Sequence, residues 1–94
     1  AVVVVLLSSL LSALANQGSG YVGAGVVPRA IGNMHPSVVP YQPFPTADRP
    51  LILAVGNDRQ FSALTAELGA PGMADDPRFA TNSDRVANRE SLID

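Results

Sequence analysis

Gly32-Asn33-Met34-His35-Pro36-Ser37-Val38-Val39-Pro40-Tyr41-Gln42-Pro43-Phe44-Pro45-Thr46-Ala47-Asp48 decides how the rest of the chain is read. It carries the single histidine and four of the eight prolines. Each proline fixes φ and removes an N–H donor, so regular helix is excluded here. The residue before each proline is pushed toward extended geometry. An extended path with few internal hydrogen bonds needs a scaffold to lie on. The flanking sequences read as two different scaffolds.

On the N-terminal side, Val2 to Val5 are four β-branched residues in a row, the pattern of a strand buried on both faces in a parallel sheet. Leu6 to Tyr21 then reads as a helix with a broad apolar face of Leu7, Leu10, Leu11 and Leu14. Ser8, Ser12, Asn16 and Ser19 form its narrow polar stripe. A rival reading is a signal peptide cut after Ala13-Leu14-Ala15, but no basic segment precedes the apolar run. A membrane span needs about 20 apolar residues, and the run breaks at Asn16. Gly18-Ser19-Gly20-Tyr21-Val22-Gly23 fits G-x-G-x-x-G literally. It lies off any strand-to-helix turn and has no acidic residue about twenty positions on, so it reads as chance.

On the C-terminal side, Thr46 to Pro50 is a turn and Leu51 to Val55 is an apolar strand. Asn57 is a good N-cap with Gln60 at the third helical position, and Asp58 suits the helix dipole. Phe61, Leu64 and Leu68 form the expected buried face, and Gly69 the expected terminator. Asp75-Asp76-Pro77-Arg78-Phe79 reads as a turn anchored by Phe79. Thr81 or Asn82 starts a last helix from about Ser83. Val86 and Ile93 share its inner face beside Leu92, and its arginines and acids face out. Tyr41 and Phe44 are expected to pack the proline-rich path onto a domain.

Composition excludes several function classes. Among 94 residues the net charge is −2, all six cations are arginine, and no basic cluster is interleaved with aromatics. Nucleic-acid binding is therefore unsupported. With no cysteine and one histidine, neither disulfides nor a zinc site is expected. The chain begins without methionine and ends without a helix stop signal, so it reads as a piece of a longer protein. The expected organisation has three parts: 1–27, a strand and helix; 28–50, a proline-rich linker; and 51–94, the start of a second domain.

Few side chains offer chemistry. His35, between Asn33 and Ser37 on the loop, could contact a carbonyl or thioester, or could simply bond nearby backbone. Gly32-Asn33 is ordinary turn chemistry. Ser8 and Ser9 have no base close in sequence and no G-x-S-x-G elbow. Asp75 and Asp76 are adjacent in a turn and need not converge.

Together, several runs resemble the family III CoA-transferases, the group that includes formyl-CoA transferase, carnitine CoA-transferases and α-methylacyl-CoA racemase. They are Leu14-Ala15-Asn16-Gln17, Gly32-Asn33-Met34-His35-Pro36-Ser37, Pro40-Tyr41-Gln42, Phe44-Pro45-Thr46-Ala47-Asp48, Leu51 to Phe61 and Asp75 to Asn82. The resemblance implies an α/β fold. Residues 1–27 would end a Rossmann-like large domain, 28–50 would link, and 51–94 would open a small α+β domain. It further implies an interlocked homodimer in the cytoplasm, with no membrane or nucleic-acid partner. Its substrates would be a coenzyme A thioester and a carboxylic acid, with no tightly bound cofactor, and the 94 residues alone would be inactive.

Family members attack the thioester with an aspartate in a Leu-Leu-Asp context, and covalent catalysis splits the transfer into easier steps. The matching position here is Ser8, in Leu6-Leu7-Ser8. Gly32, Asn33 and His35 match the loop that closes over the reacting acyl group. The resemblance leaves two alternatives: racemisation of a 2-methylacyl-CoA by acid–base groups, and a non-catalytic acyl-CoA-binding or dimerisation piece.

Overall fold

The computed structural model describes residues 1–94, and they divide into two compact units, Ala1–Ala30 and Ile31–Asp94.

In the first unit, α1 (Leu6–Ala13) and α2 (Ala15–Ala24) follow one another with a break at Leu14. The single helix expected over Leu6 to Tyr21 is thus two, and the second runs three residues further. Ser9 and Ser12 donate their hydroxyls to the carbonyls of Val5 and Ser8, four residues back. Such back-bonding competes with the helix ladder and bends helices. Val2 to Val5 form no strand, and Val2 is 91 % exposed. A buried-type strand needs neighbours to take its backbone hydrogen bonds, and the tetravaline run has none here.

No residue of this unit is buried. Helices shorter than about 12–15 residues are marginal in water without packing. In the 94-residue polypeptide by itself, the amides of α1 and α2 are therefore expected to exchange with solvent at close to unfolded rates. Those of the later helices should be protected. Equal protection in hydrogen-exchange mass spectrometry would show that the first unit holds itself together. None of the helices is long and apolar enough to cross a membrane.

The second unit begins within the proline-rich path. β1 (Tyr41–Phe44) pairs antiparallel with β2 (Leu51–Ala54), Tyr41 opposite Ala54 and Phe44 opposite Leu51. The extended geometry read from the prolines is therefore used for pairing, and Pro43 is tolerated because each strand of a two-stranded sheet is an edge. The turn between them is closed by the Thr46 hydroxyl and the Asp48 carboxylate, which bond each other and the Arg49 backbone. Tyr41 is exposed and Phe44 half-buried, whereas Val39, Pro40 and Gln42 are buried. Packing therefore runs through Val39, Pro40 and Gln42 rather than the aromatics.

α3 (Asp58–Glu67) starts as the sequence predicts. Asn57 Oδ1 accepts from the Gln60 N–H at 2.9 Å. The Gln60 side chain reaches one residue further back than a capping box, accepting from the Gly56 N–H at 2.7 Å. The buried face differs from the expectation. Phe61 and Thr65 are buried and Leu64 half-buried, but Leu68 is 69 % exposed. Helical geometry ends at Glu67, so Leu68 leaves the stripe at the C-cap. Gly69 follows with φ +73°, the left-handed position a terminating glycine supplies.

A 3₁₀ turn (Pro71–Ala74), α4 (Asn82–Ala87) and α5 (Arg89–Ile93) complete the unit. Thr81 caps α4 reciprocally with Asp84. The core is Val55, Phe61 and Phe79, with Leu64, Met73, Ala74 and Leu92 packed against it. Phe79 anchors its turn as expected.

Candidate active site

Pro36 and Pro40 leave the loop before β1 unable to satisfy its own carbonyls by local turns of helix. Donors must come from elsewhere, and they come from one side of the last two helices. Asn82 Nδ2 donates to the Ser37 carbonyl at 2.8 Å, while its Oδ1 accepts from the Val39 N–H at 3.2 Å. Arg85 Nε donates to the Val39 carbonyl at 2.8 Å. Arg89 Nη2 donates to the His35 carbonyl at 2.7 Å and to the Pro36 carbonyl at 3.2 Å. Asn82 and Arg85 are three residues apart on α4, the spacing that puts side chains on one helical face, and Arg89 opens α5 just beyond Asn88.

Arg85 is the most deeply placed of the three, with 0 % exposure. Beyond Val39, its Nη1 donates to the Phe79 carbonyl at 2.8 Å and its Nη2 to Asp58 Oδ1 at 2.7 Å. Its guanidinium lies 4.4 Å from the centre of the Phe61 ring. A buried arginine must be paired and hydrogen-bonded to be tolerated, and here every guanidinium nitrogen has an acceptor. The expectation that all arginines of the last helix face out fails for this reason. Arg89 is half-buried, and its Nη1 has no acceptor within the chain. On the surface, Arg78 bonds Asp76 at 2.7 Å, and that hydrogen bond holds the Asp76 carboxyl below its ordinary range.

The sequence-predicted site residues fall in both units. Gly32, Asn33 and His35 lie together on the clamped loop. Gly32 takes φ +61°, which a residue with a side chain adopts only under strain. Asn33 is exposed beside it. His35 is half-buried and held at three points. Its N–H donates to the Tyr41 carbonyl at 2.9 Å, its carbonyl accepts from Arg89, and its Nδ1 accepts from the Ser37 N–H at 3.2 Å. The ring lies 5.2 Å from that of Tyr41. Ser8 lies on α1 in the first unit with its side chain exposed, and its carbonyl takes the Ser12 hydroxyl.

Sequence reasoning missed Asn82, Arg85 and Arg89 as loop holders. Two signals pointed to them: a loop with too few internal donors, and planar, multi-donor arginine as the sole cation type.

Comparison with known proteins places these features in context. The sequence profile described as CoA-transferase family III matches residues 1–94. Over 84 residues the chain is 50 % identical to a succinate–glutarate CoA-transferase of Agrobacterium fabrum, covering 89 % of this chain and 21 % of that one. It is 46 % identical over 68 residues to an acetyl-CoA:oxalate CoA-transferase of Acetobacter aceti, covering 72 % of this chain and 18 % of the relative. Among solved structures it resembles a CAIB/BAIF family protein from Brucella suis, with a TM-score of 0.69 and 48 % identity over 87 % of this chain and 22 % of the other. The chain thus spans about a fifth of the length of the curated relatives it matches.

Proposed function

Because the chain belongs to CoA-transferase family III, we propose that its 94 residues are the middle of an enzyme that moves coenzyme A from an acyl-CoA to a dicarboxylic acid. The profile match over the whole chain carries this reading. The acceptor class follows the names of the relatives, which transfer to or from glutarate and oxalate. Those names are also the reason to propose transfer rather than racemisation of a 2-methylacyl-CoA. The exchange breaks one thioester C–S bond, makes another, and releases the donor as its free carboxylate.

Within that enzyme, residues 1–27 close the Rossmann-like large domain, 28–50 link, and 51–94 open the small domain. That Ile31–Asp94 form one compact unit supports a linker that lies against the small domain's first elements. Two copies interlock as a cytoplasmic homodimer. Ser8 occupies the position of the nucleophile, and Gly32, Asn33 and His35 belong to the loop facing the reacting acyl group.

The test is direct. The purified full-length protein, given succinyl-CoA and glutarate, is expected to produce glutaryl-CoA, read by mass spectrometry. No CoA ester from glutarate, oxalate or other small dicarboxylates would overturn the reading. The place of Ser8 has its own test. A serine hydroxyl without a base is a poor nucleophile, whereas a carboxylate is ionised at neutral pH unless desolvated. Ser8→Asp is therefore expected to raise CoA exchange and to give an enzyme-bound thioester that hydroxylamine traps at residue 8. If the folded variant is inert while the wild type is fully active, the nucleophile lies elsewhere.

A further inference from the structure

His35 is constrained far more than a loop histidine needs to be. Its backbone N–H is fixed on Tyr41, its carbonyl on Arg89, and its ring beside Tyr41. Its Nδ1 is already used as an acceptor for the Ser37 N–H. In a neutral imidazole, an accepting Nδ1 leaves the proton on Nε2. Nε2 makes no hydrogen bond within the chain, so the ring offers one N–H donor in one direction.

That direction depends on Arg89. The His35 and Pro36 carbonyls follow the Cα that carries the ring, the second belonging to the peptide whose N–H meets Nδ1, and one guanidinium nitrogen holds both. Asn82 holds the next carbonyl, at Ser37, so the peptide that donates to Nδ1 is followed by a fixed point as well. Arg89 sits on α5, and its planar guanidinium, always charged, supplies a fixed donor. We propose that Arg89 is a positioning residue. By holding the His35 and Pro36 carbonyls, it orients His35 so that Nε2–H donates to a carboxylate oxygen of the acid that receives coenzyme A. This rests on the transferase reading above.

A full-length enzyme series tests it. His35→Phe removes the donor and keeps a ring, while His35→Gln keeps an N–H donor at the ε position. Arg89→Met removes the tether, and Arg89→Lys restores a cation that reaches the carbonyls. A hydrogen bond to a charged group is worth roughly 10- to 100-fold in an equilibrium. His35→Phe and Arg89→Met are each expected to lower kcat/KM for the acid by about that factor, with KM for the acyl-CoA donor unchanged. His35→Gln and Arg89→Lys should recover most of the loss.

Since Arg89 acts through His35, adding Arg89→Met to His35→Phe should lower kcat/KM no further. A purely structural arginine would give independent, multiplying losses. Nitrogen chemical shifts of the His35 ring supply a readout that needs no turnover. The wild type should show a proton on Nε2, and Arg89→Met should show the tautomers mixed. An unaltered kcat/KM in Arg89→Met, multiplying losses, or an unaltered ring tautomer overturns the proposal while leaving an active wild type a transferase. A wild type that transfers no CoA overturns the transferase reading and this inference with it.

Discussion

Arg85→Met is expected to destabilise the full-length protein by about 3–5 kcal/mol, adding the cost of two orphaned buried carbonyls to the loss of a ring contact. The carbonyls are those of Val39 and Phe79, both of which take a guanidinium N–H at 2.8 Å. The ring is that of Phe61, 4.4 Å from the guanidinium carbon. The ion pair with Asp58 adds little, because the Asp58 side chain is 57 % exposed and water replaces its partner. Arg85→Lys should recover less than half, since one ammonium cannot reach acceptors on three separate segments. Total stabilities of about 5–15 kcal/mol make a loss of this size visible as reduced soluble protein. Chemical denaturation measures it, and a change below about 1 kcal/mol would mean that surrounding backbone finds other donors.

Phe61→Ala is expected to have a comparable effect, about 3–5 kcal/mol. Phe61 is 2 % exposed and packs with Val55 and Phe79 on one side and the Arg85 guanidinium on another. Its removal opens a cavity and takes away the surface that covers a buried cation. The control is Leu68→Ala on the same helix, expected within about 0.5 kcal/mol because the side chain is largely exposed. Similar losses at both positions would put Leu68 back into the buried face. Thermal or urea unfolding of the two variants separates the cases.

How much was readable from the sequence depended on whether the deciding interaction was local. Asn57, Gln60 and Gly69 could be read because a cap is settled within four residues. β2 could be read from its apolar run, but β1 was hidden by Pro43 and the prolines on either side of it, which signal extension without saying whether a partner strand exists. Val2 to Val5 misled because β-branching reports a fit to sheets, and no strand lies beside it here. Leu68 misled by one residue of helix length. Gly32, Asn33 and His35 were found as loop residues from their turn and proline context. The clamp that holds them was not, because a charged residue on a helix reads as solvated until its acceptors are known. Those acceptors lie 45, 46 and 54 residues earlier, at Ser37, Val39 and His35.

That separation has a dynamic consequence. The loop before β1 carries little protection of its own, since beyond the His35 and Ser37 amides its fixed points are side chains of α4 and α5. It cannot open as an independent flap without breaking hydrogen bonds to Asn82, Arg85 and Arg89, and Arg85 in turn holds α3 and the Phe79 turn. The loop, the hairpin entrance and the last helices therefore open as one cooperative segment. The Val39 amide, donated to Asn82, should exchange at the rate of the α4 amides rather than at the rate of a surface loop. A ligand that needs this loop displaced must overcome the stability of that whole segment, whereas one that fits the loop as it stands meets a surface already in place.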